Sequence, residues 1–249
     1  MIEIEREGEV AIIKLNRSVT NPLNLKFLWQ ISKKLGELKS DTSVRSIVLS
    51  SSNNKFFSIG FDIPELYELE RTEMKDFYTT FNRLSIELYT FPKPTVAAIT
   101  GHAIAGGCIL TLCCDFRIIS EGKKLMGLNE IKLGLPVPYP ADCILRDLVD
   151  TTTARDIMEE GEFYLPEKSL EMGIVDQVVP LEEVIPKSVE KAKKMGEMPD
   201  DAFKIIKENR VENVYARILQ NLATKEQYFF NCWYSEDAQK LLKEAINKF

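Results

Sequence analysis

Residues 95–108 read Thr95-Val96-Ala97-Ala98-Ile99-Thr100-Gly101-His102-Ala103-Ile104-Ala105-Gly106-Gly107-Cys108, and their pattern decides the fold class. An apolar strand pattern, Thr95 to Ile99, runs into a turn of small residues, Thr100 to Gly107. An apolar helix pattern follows from Cys108 to Cys114. Strand, glycine turn and helix in succession make up the repeating unit of a layered α/β protein. A helix that opens at Gly106-Gly107 also offers unpaired N–H groups and a partial positive charge, which suit an oxyanion. The same glycines serve a tight turn and close helix packing equally well.

Outward from this stretch the alternation continues. Glu9 to Leu15 and Val44 to Ser50 have strand character, while Leu25, Leu28, Ile31, Leu35 and Leu38 fall at helical spacing. A second glycine turn, Phe57-Ser58-Ile59-Gly60-Phe61-Asp62-Ile63, follows the polar run Ser51 to Lys55. A long helix is predicted from about Arg71 to Tyr89, closed by Phe91-Pro92-Lys93-Pro94. Beyond Pro136-Val137-Pro138-Tyr139-Pro140 only Gly173 to Val179 reads clearly as a strand. From Leu181 the pattern is helical, broken near Pro199. The expected organisation is an α/β core domain over 1–180 and a helical region over 181–249 used for assembly.

The 249 residues suit one large domain with a sizeable core, and 45% of them are hydrophobic. A formal charge of −6 argues against broad nucleic-acid binding, which needs a basic face to displace counterions. The single histidine, His102, excludes multi-histidine metal centres and disfavours hydrolases built on a histidine base, so no metal is expected. Beside small residues, His102 reads as a packing residue. Five cysteines without a Cys-x-x-Cys pair read as reduced core thiols. No apolar run reaches membrane-spanning length, so the expectation is no membrane partner and a cytoplasmic location. Neither a Gly-x-Ser-x-Gly elbow nor a Walker or dinucleotide glycine loop occurs. Carboxylates in unusual surroundings remain as candidates for acid–base work.

Taken together, the two glycine turns resemble those of the enoyl-CoA hydratase/isomerase (crotonase) superfamily. Phe57 to Ile63 is similar to its Phe-Ser-Ala-Gly-Ala-Asp-Ile/Leu loop, and Gly101 to Cys108 to its Asn-Gly-x-Ala-x-Gly-Gly-Gly turn. Asn16-Arg17, Lys93 to Ile99, Cys114-Asp115-Phe116-Arg117 and Gly173 to Val179 match in order and spacing. The resemblance implies an α/β, ClpP/crotonase-like fold: repeated β-β-α units forming two roughly perpendicular sheets, with a helical carboxyl-terminal oligomerisation region. It implies an acyl-CoA thioester substrate, a homotrimer or homohexamer, and no cofactor beyond the coenzyme A of the substrate. The N–H groups of Phe61 and Gly106 would hold the thioester oxygen. Gly60, Asp62, Ile63 and Gly107 would line the coenzyme site, and Lys243 or Lys248 would reach its phosphates.

Hydratases of this superfamily carry two active-site glutamates. The first position falls on Ile109, and the second on Glu130 in Asn129-Glu130-Ile131-Lys132-Leu133-Gly134. An isoleucine cannot hold a water, so 2-enoyl-CoA hydration is disfavoured. Gly127-Leu128-Asn129-Glu130 with Leu133-Gly134 resembles the Δ3,Δ2-enoyl-CoA isomerase subgroup of fatty-acid metabolism, in which one carboxylate shuttles a proton. Ile109 is then expected to line the site and Pro136 to Pro140 to cap the acyl tunnel. The alternatives are a hydratase, another crotonase-type hydrolase, decarboxylase or dehalogenase, and a non-catalytic acyl-CoA- or RNA-binding relative. Ala105 and Phe61 depart from the family's smaller residues.

Overall fold

Two-residue alternation of apolar side chains builds a sheet that is buried on both faces. Strands β1 (Ile2–Glu7) and β2 (Val10–Leu15) pair antiparallel, and helix α1 (Leu25–Ser40) follows. Asn24 caps α1 by accepting from the Phe27 N–H at 2.9 Å, and the helix buries Phe27, Leu28, Ile31, Leu35 and Leu38, as their spacing predicts. The computed structural model describes residues 1–247 of the chain; Lys248 lies outside the described residues.

From here the chain repeats one device. A strand of the large sheet is followed by a short strand of a second sheet and then by helix: β3 (Ser46–Ser51), β4 (Phe56–Ser58), α2 (Ile63–Tyr67) and α3 (Arg71–Tyr89). Next come β5 (Thr95–Ile99), β6 (His102–Ile104) and α4 (Gly106–Leu112). The third round is β7 (Phe116–Ser120), β8 (Met126–Gly127) and a 3-10 turn at Glu130–Leu133. Helices α5 (Tyr139–Leu148), α6 (Thr151–Glu160) and α7 (Pro166–Glu171) precede β9 (Gln177–Val179). Helices α8 (Leu181–Gly196), α9 (Asp200–Trp233) and α10 (Glu236–Ile246) complete the described chain, with the expected break at Pro199.

The large sheet has the order β1-β2-β3-β5-β7-β9 and the small one β4-β6-β8. Apart from β1, every pairing is parallel. Alternate residues of the large sheet divide between two cores. Ile13, Ile47, Leu49, Ala97 and Ile119 face the main core, whereas Ile12, Val48, Val96 and Ile118 pack against Val184, Val189 and Ala192 of α8. The helical region is therefore part of the fold. Of its aromatics Phe229, Phe230 and Trp233 are buried, with Phe229 stacked on Tyr78 of α3, while Tyr228 is exposed. None of the helices among the described residues is long and apolar enough to cross a membrane.

A buried ion pair fastens α9 to the sheet. Lys207 Nζ donates to Asp115 Oδ2 at 2.8 Å, both side chains are almost fully enclosed, and Asp115 also accepts from the Thr95 N–H at 2.9 Å and from Arg210. Removing one member strands a charge in a low-dielectric interior. Lys207→Met is expected to cost about 3 kcal/mol of unfolding free energy in a urea titration. Arg210→Met, at the exposed rim, should cost less than about 1 kcal/mol. Equal losses would show that burial does not set the cost.

Candidate functional site

The three short strands of the small sheet end at one place. Phe61 follows the end of β4, Gly106 follows the end of β6, and Glu130 follows the end of β8. Parallel pairing aligns those ends, with Ser58 beside Ala103 and Ile104 beside Gly127. Ligands gather at the carboxyl ends of parallel strands because the chain must open there to reach its crossovers. Here Phe61, Gly106 and Glu130 line one cavity of about 280 Å³, with Ile63, Leu133, Leu135 and Phe229.

Leu23 fixes the first donor. Its N–H donates to the Gly60 carbonyl at 2.7 Å and its carbonyl accepts from the Asp62 N–H at 2.9 Å. With its neighbours so engaged, the Phe61 N–H points away from Leu23. Gly106 opens α4, whose first intrahelical bond joins the Ile109 N–H to the Ala105 carbonyl, leaving the Gly106 N–H free. Neither N–H has a backbone acceptor among the described residues.

The two turns touch, which dictates their residues. Gly60 has φ +92°, and a Cβ there would lie 2.9 Å from the Gly106 nitrogen. At Gly107 a Cβ would come within 2.3 Å of the Ser58 carbonyl oxygen, so only glycine lets α4 sit on β4. Ala105 has φ +47°, a conformation that favours glycine and stores of order 1 kcal/mol in an alanine. The Phe61 ring stands edge-on to Phe77 and Phe81 of α3, at 4.8 and 4.7 Å between centroids, and crowds Gly106.

The remaining candidate residues separate. Ile63 lines the cavity, whereas Gly60 and Gly107 form its supporting turns. The Asp62 carboxylate caps α2 through the Glu65 N–H and pairs with Arg17 at 2.7 Å. Its side chain braces the loop instead of facing the cavity. Lys243 is an exposed residue of α10. Ile109 is fully buried on α4 and does not line the cavity, which corrects the expected lining role. Pro136 and Val137 line a neighbouring cavity that shares Leu135 with this one. His102 packs as expected: its Nδ1 accepts from the Leu125 N–H at 3.0 Å. Sequence reading missed Phe229 and Ala245, which reach the cavity from helices more than 90 residues after β8. It also missed Leu23, which holds the first loop through its backbone and packs its side chain beside Gly106.

Glu130 is the one carboxylate that the described residues bring to the cavity lining. It is 7% exposed, and its Oε2 has no hydrogen-bond partner among the described residues. Burial among apolar side chains pushes its carboxyl up to about 7. A group so placed exchanges a proton near neutrality, beside two N–H groups able to hold a developing oxyanion.

The family model described as enoyl-CoA hydratase/isomerase matches residues 5–249. The mitochondrial enoyl-CoA delta isomerase 1 of Mus musculus is 28% identical over 249 residues, covering all of this chain and 86% of the relative. The short-chain-enoyl-CoA hydratase of Clostridium acetobutylicum is also 28% identical, over 98% of this chain and 94% of its own. The crystal structure of human mitochondrial Δ3-Δ2-enoyl-CoA isomerase superimposes with a TM-score of 0.95 at 28% identity. That superposition covers 99% of this chain and 97% of the other.

Because Glu130 holds its proton more tightly folded than unfolded, stability falls as pH rises from about 4.5 to about 7. The full effect is about 3 kcal/mol. Glu130→Gln should therefore be more stable than wild type by up to about 3 kcal/mol at pH 8, and the gain should vanish near pH 4.5. Urea titrations at the two pH values read it. A difference independent of pH would contradict the buried, unpaired carboxyl.

Proposed function

The chain belongs to the enoyl-CoA hydratase/isomerase (crotonase) family, and we propose that within it this enzyme converts 3-enoyl-CoA to trans-2-enoyl-CoA. The observation that carries the reading is Glu130, its Oε2 unpartnered among the described residues, in a cavity lined otherwise by apolar residues and Asn129. Position 109, where hydratases resemble one another in placing a second glutamate, is an isoleucine buried in the core, so it brings no second carboxylate to the cavity. Hydration needs two groups to hold and activate a water. Isomerisation needs one base.

The thioester and the adjacent double bond both acidify the C2 protons of a 3-enoyl-CoA. Glu130 takes one, and the electron pair spreads into a dienolate whose oxygen accepts from the Phe61 and Gly106 N–H groups. Each such donor contributes about 3 kcal/mol at the transition state. Glu130 then returns its proton to C4, the double bond settles between C2 and C3, and the base is regenerated. A carboxyl near 7 can both take and give the proton at neutral pH. The apolar walls keep water from the dienolate. Coenzyme A enters as part of the substrate, and the setting is fatty-acid or related acyl-CoA metabolism.

Assembly as a trimer or hexamer belongs to the same reading. Its support is the exposed set Ile205, Ile206, Leu219 and Tyr228 along α9. Light scattering at micromolar concentration should give a trimer or a multiple of one; a monomer would remove this part of the reading.

Turnover decides the chemistry. Wild type should isomerise 3-hexenoyl-CoA with kcat/KM rising through pH about 7, since the free base is the active form. Glu130→Gln should keep acyl-CoA binding and lose about 10²–10⁴-fold in rate. Efficient hydration of crotonyl-CoA by the unmodified protein would overturn the isomerase assignment and favour the hydratase.

A further inference from the structure

Two cavities meet at Leu135. The catalytic cavity has Leu135 and Phe229 in its wall. A second cavity of about 320 Å³ is lined by Leu135 as well, together with Tyr78, Val137 and Met158. Leu135 is only 3% exposed although it borders both. Tyr78 faces the second cavity while its stacking partner Phe229, 3.7 Å away between ring centroids, faces the first. Leu135 and the Tyr78–Phe229 pair thus stand where the two cavities adjoin.

The partition is held firmly. The Leu135 N–H donates to the Glu130 carbonyl at 3.0 Å, which ties the leucine backbone to the residue carrying the base. Phe229 is fixed by an edge contact with Phe230 and by stacking with Trp233. Rotating either side chain aside would disturb a close-packed interior. The second cavity is apolar at its Leu135, Val137 and Met158 side, and the Asp142–Arg146 ion pair and Lys225 give it a polar side. Its chemistry suits a hydrocarbon tail arriving through Leu135.

We propose that Leu135 is the residue that limits acyl-chain length. Short-chain 3-enoyl-CoAs fit, their methyl ends stopping against Leu135 and Phe229, and the second cavity is closed to longer tails by the leucine side chain. The inference rests on the acyl-CoA reading above, and on no particular step of the reaction.

The test pairs turnover with binding. Activity on 3-hexenoyl-CoA and 3-dodecenoyl-CoA is measured beside calorimetric Kd values for the saturated hexanoyl- and dodecanoyl-CoA. Wild type should prefer the six-carbon chain by at least about tenfold in both readouts, the scale on which a hydrophobic pocket rejects excess methylenes. Leu135→Ala should raise the twelve-to-six ratio by at least about tenfold. Adding Val137→Trp, which fills the second cavity, should return the ratio to the wild-type value. Leu135→Val, which removes less volume, should shift the ratio in the same direction and serves if the alanine variant fails to fold. Equal preference in wild type, or a ratio unmoved by shortening Leu135, would overturn the proposal. If no chain length is turned over, the isomerase reading fails, and the Kd ratios still decide the role of Leu135.

Discussion

The site depends on the parallel pairing of Phe56–Ser58, His102–Ile104 and Met126–Gly127. Each strand is two or three residues long and would not hold alone. Each is the continuation of a strand in the large sheet, so the larger core fixes its position. The pairing then puts three loop starts side by side, and the residues just past them are an N–H donor, a second N–H donor and a carboxylate. Glycine at 60 and 107 is what lets the second turn press onto the first. A methyl group at either point would separate the two donors before it altered anything else.

The candidate site is built against local stability. Glu130 is kept without a partner in an apolar wall, and Ala105 is held at positive φ to aim the chain into α4. Both features cost free energy in the folded state. The surrounding structure offsets them with satisfied groups close by. Asn21, fully buried at φ +44°, donates to the Leu15 and Phe57 carbonyls and to Ser51, and accepts from the Arg17 N–H. Arg17 in turn pairs with Asp62 and Glu65, beside the loop that carries Phe61. The bracing is polar and satisfied, whereas Oε2 of Glu130 is left unpaired among the described residues.

The legible parts of the sequence were those with long periodic patterns or glycine-specific geometry. Leu25 to Leu38 and Arg71 to Tyr89 buried the faces their spacing indicated, and Gly106 stands at a helix start as its neighbours suggested. The strands β6 and β8 carry no period that could be read, because three residues and two residues contain at most one full alternation. The turn from Thr100 to Gly107 consequently read as loop where it contains a strand. Ile109 was correctly read as a non-polar residue at its position, but a residue one turn into a helix packed on three sides points into the core and not into the cavity. The carboxyl-terminal aromatics show a related limit. Apolar spacing signals burial without saying against what, and Phe229 found Tyr78 of its own chain.

That last point joins the two halves of the molecule. Helix α9 is anchored near its start by Lys207 on Asp115, which also receives the Thr95 N–H at the head of β5. Near its end it is anchored by Phe229 on Tyr78, where it also closes the cavity. Between these anchors the same helix exposes Tyr215 and Leu219 on its outer side. A displacement along the helix axis would therefore be resisted at one end by a buried charge and at the other by a stacked aromatic pair. The wall position, and with it the room beside Glu130, is set jointly by the small sheet that places Glu130 and by α9, which arrives from the far end of the chain.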